Sequence, residues 1–324
     1  MSTPLVTVFG GTGFVGRHTV RALAKAGWRI RVAVRYPNKG FFLPPMGTVG
    51  QIALVKCNVR EAEQVAEAVR GADAVINLTG VLVSSGEQSF EAMHVEAAET
   101  VAKAAKEAGA KTLVQVSAIG ADKDAASKYA ASKGEGEERV RAAFPGAAIL
   151  RPSLVFGAED AFFNKFASLA RLLPALPLIG GGHTRFQPVF VGDLAAAIAR
   201  CAGDATLGGK TYELGGPAIY TFKELMQVVL RETGRRRLLV PVPFALATLK
   251  AFFLQFLPGA LLTPDQVTLL KSDNVVTGDD GLAAFGIVPA SVEAEVPAYL
   301  WRFRAKGQYE DVAREKTSGA PIPL

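Results

Sequence analysis

Short apolar runs alternate with helical periods through the first half of the chain. Runs at residues 5–9, 29–34, 51–57, 74–78, 112–117 and 147–150 read as strands. Between them, at 14–26, 61–69, 90–108 and 127–143, apolar positions recur at three- and four-residue spacing, the period of a helix with one buried face. Ala74-Val75-Ile76 and Leu113-Val114 are apolar at successive positions. A strand with one wet face alternates, whereas a strand covered on both faces does not. Alternating β and α with such strands predicts an α/β fold, a Rossmann-type doubly wound parallel sheet over residues 1–152.

Past Arg151 the rhythm changes. Helical stretches at 162–173, 193–201 and 222–232 are separated by Gly/Pro-rich loops such as Leu176-Pro177-Leu178-Ile179-Gly180-Gly181-Gly182. They predict a smaller C-terminal α/β lobe over residues 153–307, interleaved with the first and closing over it. A polar tail, 308–324, follows.

One segment breaks the pattern. Residues 244–257 contain only Thr248, Lys250 and Gln255 as polar residues, and Arg235-Arg236-Arg237 lies just before them. It is too short to span a bilayer, so no transmembrane helix is expected. Two readings stand: a buried core helix, or a helix lying in a membrane interface or against a hydrophobic partner, with the arginines on anionic groups. Pro258-Gly259 stops it. Thr263 then reads as an N-cap with Pro264 at the first helical position.

Bulk composition narrows the function classes. With 49% hydrophobic and 20% charged residues in 324, the chain is neither disordered nor fibrous. A net charge of +6 suits an anionic cofactor, an anionic membrane surface or an acidic partner. There is no basic stripe interleaved with aromatics, so nucleic acid is not expected. Cys57 and Cys201 are the two cysteines, and no Cys/His ligand spacing surrounds them, so no metal is expected. The chain opens without a charged segment followed by an apolar one, which predicts a cytoplasmic-side location.

The chemistry concentrates at strand ends. Gly10-Gly11-Thr12-Gly13-Phe14-Val15-Gly16 lies between the first strand and the first helix. Gly10 permits a sharp turn, Gly13 lets backbone approach a pyrophosphate, and Gly16 lets the helix pack close. The helix N-terminus then points N–H groups at the phosphates. Arg35 ends the second strand, where an NAD-specific fold carries Asp or Glu for the ribose hydroxyl. A cation there, with Arg17 as a second contact, favours NADPH (NADP+) over NAD(H). Asn58 and Val59 follow the third strand and Leu78-Thr79-Gly80 the fourth, facing the ligand crevice. Ser117 ends the fifth. Tyr129 and Lys133, four apart, share one face of the next helix. An ammonium near the phenol is expected to lower its pKa, so that Tyr129 could exchange a proton while nicotinamide exchanges hydride.

These features resemble the short-chain dehydrogenase/reductase superfamily, of the extended or atypical kind. The Arg151-Pro152-Ser153-Leu154-Val155-Phe156-Gly157 and Phe186-Gln187-Pro188-Val189-Phe190-Val191-Gly192-Asp193 segments join the glycine turn, Arg35, Asn77–Gly80 and Ser117/Tyr129/Lys133 in carrying the likeness. It implies that Pro152 and Ser153 pass beside the nicotinamide. Within the superfamily, Val8-Phe9-Gly10, Val116-Ser117, Phe144-Pro145, Leu262-Thr263-Pro264-Asp265-Gln266-Val267, Lys271-Ser272-Asp273-Asn274 and Tyr299-Leu300-Trp301-Arg302-Phe303 look like the nucleotide-binding accessory subunits of respiratory complex I and their bacterial counterparts. That likeness implies a tightly held NADPH in a structural role, other complex I subunits and the membrane surface as partners, and a peripheral place on the cytoplasmic face of the respiratory membrane. One departure stands out: His94 occupies the place where active family members often offer an asparagine in a water relay to the lysine. A missing relay would leave Ser117, Tyr129 and Lys133 vestigial and nucleotide binding intact. The alternative is an active NADP-dependent reductase, epimerase or dehydratase on a small carbonyl or sugar substrate. His94 itself reads as an ordinary helix residue.

Overall fold

The computed structural model describes residues 3–256, 262–278, 281–305 and 307. Seven strands form one parallel sheet. In chain order they are β1 (Leu5–Phe9), β2 (Arg29–Val34), β3 (Ile52–Lys56), β4 (Ala74–Asn77), β5 (Thr112–Val116), β6 (Ala148–Pro152) and β7 (Thr211–Leu214). Across the sheet they run β7-β6-β5-β4-β1-β2-β3. The order reverses between β1 and β4, and every pairing is parallel. Such a reversal opens a crevice beyond the carboxyl ends of the two strands.

Helices cover both faces, as the unbroken apolar runs require. Val6 and Val8 of β1 face α1 (Phe14–Lys25), where Val20 and Leu23 are fully buried. Phe9 faces the other way, into a core with Val65 and Val69 of α2 (Ala62–Val69), Val101 of α3 (Ala97–Glu107) and Val140 of α4 (Lys128–Ala143). A later helix, α5 (Val191–Gly203), packs beside α1, placing Leu194 and Ile198 in the first of these cores. Thus α5 and β7, both from beyond residue 152, complete the main layers.

The remaining C-terminal segments form a third core. Phe163 of α6 (Phe162–Leu172), Phe186, Leu225 of α7 (Phe222–Glu232) and Leu300 meet there. Its strands pair in twos, among them β8 (Ala175–Ile179) with β9 (Leu238–Val242). Beyond them, α8 (Phe244–Leu254) packs on α9 (Pro264–Leu269) in a small separate cluster of Ile179, Ala247, Ala251 and Val267. Thr263 caps α9 in a reciprocal box with Gln266, as the Thr-Pro pair predicts. Pro258-Gly259 and the tail 308–324 lie outside the described residues.

Two expectations are corrected here. The helix read over 90–108 is not uniform: Glu91–Glu96 form a π-turn ahead of α3. Of the two readings left open for 244–257, the buried core helix does not hold over its described residues, 244–256. Only Ala247 and Ala251 of α8 are buried, and Leu246, Leu249, Phe253 and Phe256 form an exposed stripe, with Phe253 64% and Phe256 74% accessible.

Candidate functional site: a dinucleotide crevice

The glycine turn sits at the reversal point. Gly10 has φ +76°, a left-handed conformation that glycine adopts without strain, and a Cβ there would lie 2.9 Å from the Leu78 carbonyl. A Cβ on Gly16 would run into the Gly10 carbonyl oxygen, so only glycine lets α1 start so close to β1. Gly13 is exposed and is the N-cap residue of α1. No side chain caps this helix, and its first turn holds no acidic residue. Helix-opening N–H groups have no partner inside the helix, so those after Gly13, on Phe14 and Val15, are available to an anion beside half-buried Thr12.

Across the crevice, the end of β4 is held by an amide pair the sequence reading did not single out. Asn77 Nδ2 donates to Gln115 Oε1 at 2.8 Å, and Asn77 Oδ1 accepts from the Thr79 N–H and hydroxyl at 3.1 and 2.6 Å. This fixes Leu78, Thr79 and Gly80 at the crevice edge. The signal was present, since both amides are buried within apolar strands and a buried amide needs a partner.

Two of the predicted three, Tyr129 and Lys133, meet beside it, and Lys133 reaches the residue before Ser117. Lys133 Nζ reaches from α4 to the Val116 carbonyl, a long bond of 3.4 Å, and lies 6.0 Å from the Tyr129 ring centroid. A Cβ on Gly80 would be 3.1 Å from Nζ. Ser117 is buried, and its hydroxyl has no hydrogen-bond partner among the described residues. Burial pushes the Lys133 ammonium down to about 8, although nearby Glu137 opposes the shift. Glu137 is itself buried and takes a forked pair of bonds from Arg151 at 2.9 and 2.8 Å.

The expected acidification of Tyr129 is not what the structure shows. Desolvation pushes its phenol up to about 12. Loss of water around the phenolate is the cause, and it outweighs any help from the ammonium.

His94 is the largest departure from expectation. The π-turn aims it into the site, where it is 2% exposed. Its ring stacks on Phe90 and meets the Tyr129 ring edge-on, both at 5.4 Å. The Val81 N–H donates to Nε2 at 3.0 Å, Nδ1 lies 2.9 Å from Ser132 Oγ, and that hydroxyl donates to the Tyr129 carbonyl at 2.8 Å. These bonds are all satisfied by one tautomer, the neutral ring protonated on Nδ1. Burial first, then the Lys133 charge, pull the imidazole down to about 3. No spacing rule in the sequence points to this arrangement.

The other candidates divide. Arg35 is exposed, and the Gln88 amide, oriented oxygen-first, accepts from its guanidinium at 2.9 and 3.2 Å. Arg17 is partly engaged, with Glu159 at 3.5 Å and its guanidinium over the Phe42 ring at 4.8 Å. Asn58 closes a turn, accepting from the Arg60 N–H at 3.3 Å, and the Val59 side chain is in the second core. Pro152 is buried at the end of β6. The Ser153 hydroxyl lies 2.7 Å from Asn274 Oδ1. Among the described residues no group of side chains could hold a metal, and no helix is long and apolar enough to cross a membrane. The crevice fits a dinucleotide: an uncapped helix end and a cation for phosphates, an unpaired buried hydroxyl and a sparsely bonded ammonium for ribose and nicotinamide.

The model of the NAD-dependent epimerase/dehydratase family matches residues 6–215. The chain belongs to that family. Among curated relatives of this family member, the Arabidopsis thaliana protein named NADH dehydrogenase [ubiquinone] 1 alpha subcomplex subunit 9, mitochondrial, is 36% identical, covering 94% of this chain and 79% of the relative. A Caulobacter vibrioides protein named ceramide reductase is 31% identical over 74% of each chain. Among solved structures, the NADPH-dependent quinone oxidoreductase of Escherichia coli complexed with NADPH shares the fold. Its TM-score is 0.72 at 21% identity, covering 91% of this chain and 99% of that one. The family's description makes a nicotinamide dinucleotide its cofactor class, and structures of the same fold hold NADPH or NAD.

Proposed function

We propose that this epimerase/dehydratase-family chain is an NADPH-binding accessory subunit of respiratory complex I, holding its nucleotide in a structural role. The observation that carries the reading is His94. Both ring nitrogens are bonded within the protein and the ring is held neutral, so it offers Lys133 neither a proton nor a path to solvent. The binding groups are thereby kept while His94 supplies no relay to Lys133. Relatives at 30–36% identity named as complex I subunits support the assembly.

Preference for NADPH rests on Arg35. Its partner Gln88 is neutral, so its charge stays uncompensated for a 2′-phosphate, whereas Arg17 shares its charge with Glu159. Gly10, Thr12, Gly13, Phe14, Val15 and Gly16 would cradle the pyrophosphate. Asn58, Val59 and Leu78–Gly80 would line the adenosine side, and Ser117, Lys133, Pro152 and Ser153 the nicotinamide side.

The second partner is the membrane surface on the cytoplasmic side, met by α8. The stripe of Leu246, Leu249 and Phe253, continued by Phe256 just past the helix end, is exposed, and exposed Lys250 of the same helix suits anionic lipid.

A second reading, an NADP-dependent reductase, is favoured by the survival of Ser117, Tyr129 and Lys133, the last two in contact, and by the relative named ceramide reductase. When bound, the nicotinamide would supply hydride. Ser117 and Tyr129 would hold the substrate oxygen and Lys133 the ribose.

Native-gel migration from gently solubilised membranes separates the two, using wild type and Tyr129→Phe. Co-migration of both with a large NADH-oxidising assembly, releasing NADPH on denaturation, is the expected result. Migration as a free soluble species, with carbonyl-dependent NADPH oxidation lost in Tyr129→Phe, would replace the accessory reading by the reductase.

A further inference from the structure

One short helix packs between the buried side of α8 and the start of the helix that carries the site. On one side, Val267 of α9 fills the small cluster against Ala247 and Ala251, the two buried residues of α8. On the other side, Asp265 of α9 reaches the helix that carries the site. Its carboxylate accepts from the Lys128 N–H at 2.7 Å, the Tyr129 N–H at 3.1 Å and the Ser127 hydroxyl at 2.9 Å. Ser127 in turn caps α4, accepting from the Ala130 N–H at 3.3 Å. The opening N–H groups of α4 are therefore satisfied across the chain by a carboxylate 136 or more positions away, rather than by local capping alone. Negative charge at that helix end is also favoured by the helix dipole.

The same segment reaches the opposite wall of the crevice. Asn274 Oδ1 accepts from the Leu154 N–H at 3.0 Å and lies 2.7 Å from the Ser153 hydroxyl. Residues 262–278 thus hold Tyr129's helix at one end and Ser153 at the other, while resting on α8.

We propose that Asp265 links the two surfaces: seating the α8 face on an anionic lipid surface tightens dinucleotide binding, and bound dinucleotide tightens docking. The link rests on the nucleotide and membrane contacts under Proposed function. Its physical basis is order. Docking fixes α8 and hence α9, the fixed carboxylate holds the first turn of α4, and Tyr129 and Lys133 are presented to the nucleotide with less freedom left to lose. By linkage the two effects must be equal in size.

The test uses the full chain, NADPH titrations by calorimetry, and vesicles of phosphatidylglycerol and phosphatidylcholine. In wild type, saturating vesicles should lower the NADPH Kd about fivefold, and saturating NADPH should raise vesicle partition by the same factor. In Asp265→Ala the ratio should collapse to about one while vesicle binding persists. Asp265→Asn, which keeps one acceptor, should fall between. Should Asp265→Ala fail to fold, hydrogen exchange in wild type decides: vesicles should slow the Lys128 and Tyr129 amides that Asp265 holds. Wild type that binds both ligands with an unchanged Kd overturns the link alone, as does an equal shift in folded Asp265→Ala. Unchanged exchange at those amides also overturns it. Wild type that ignores the vesicles overturns the membrane contact and the link together, and wild type that ignores NADPH overturns the nucleotide reading and the link together.

Discussion

Helices α4 and α8 invert the usual relation between composition and burial. α4 reads Lys-Tyr-Ala-Ala-Ser-Lys-Gly-Glu-Gly-Glu-Glu, among the most polar stretches of the chain, yet Ser132, Lys133 and Glu137 are buried. α8 reads Phe-Ala-Leu-Ala-Thr-Leu-Lys-Ala-Phe-Phe-Leu, yet most of it is exposed. Apolar residues scattered on a surface mean little, whereas a buried charge or a contiguous exposed apolar face asks for a cause. On α4 the causes are visible: Arg151 for Glu137, His94 for Ser132, and a crevice for Lys133. On α8 the described residues supply no such cause, and its exposed face is the one proposed to meet a surface outside the chain. Hydropathy reports the transfer preference of a side chain, and partners decide where it ends up.

If that contrast is right, the polar helix should be the fragile one. Gly136 of α4 packs so tightly on the π-turn that a Cβ there would run into the His94 carbonyl oxygen. Gly136→Val should cost about 3 kcal/mol of stability. Leu249→Ser on the apolar helix should stay within about 0.5 kcal/mol. Urea denaturation of both variants measures this, and equal losses would return α8 to the core. Next in size is docking. Phe253→Asp with Phe256→Asp should weaken partition onto anionic vesicles about thirtyfold, since two partly inserted rings are worth about 2 kcal/mol together. The melting temperature should not move. Unaltered partition by a folded variant would remove the lipid surface as the reason for the exposed stripe.

How much of this was legible depended on whether a residue's role was local. β1 was readable to the residue because its run is buried on both faces, and β2 because Ile30, Val32, Ala33 and Val34 are buried while Arg29 marks its exposed start. β7 was not, because Thr-Tyr-Glu-Leu at the sheet edge is only half buried and alternates over too few residues. β8 and β9 contain Pro177 and Pro241, which read as loop. A two-stranded ribbon tolerates them because its strands are edges. The glycine turn and the Tyr129/Lys133 pair were legible because their spacing is their geometry. His94 was not, since a π-turn is fixed by what packs on it: α4 approaches through Gly136, and Ser132 supplies the bond. Tyr129 was misjudged electrically for the same reason. Sequence gave its distance in residues from Lys133 but said nothing of the desolvation that outweighs the charge.

The smallest effect, the one on binding, sharpens the polar side of the comparison, because Lys133 should give opposite pH responses in binding and in stability. In the range from pH 7 to 9, His94, held near 3, and Tyr129, held near 12, keep one protonation state, so among the three Lys133, near 8, is the one that titrates. Its charged form is the one suited to a dinucleotide. NADPH affinity should therefore fall severalfold as pH rises through about 8. In Lys133→Met affinity should be lower throughout, without that step. Stability of the free protein should move the other way. An unfolded lysine keeps its proton to its ordinary 10.5, so between about 8 and that value the unfolded chain binds more protons than the folded one. The Lys133 contribution to folding then becomes more favourable as pH rises through that window. Below about 8 the buried charge is present in full, and its cost with it. Denaturation of wild type against Lys133→Met at several pH values should show the wild type gaining on the variant. Parallel curves would mean that Lys133 is solvated in the free protein and that the polarity of α4 is not strained by burial at this position.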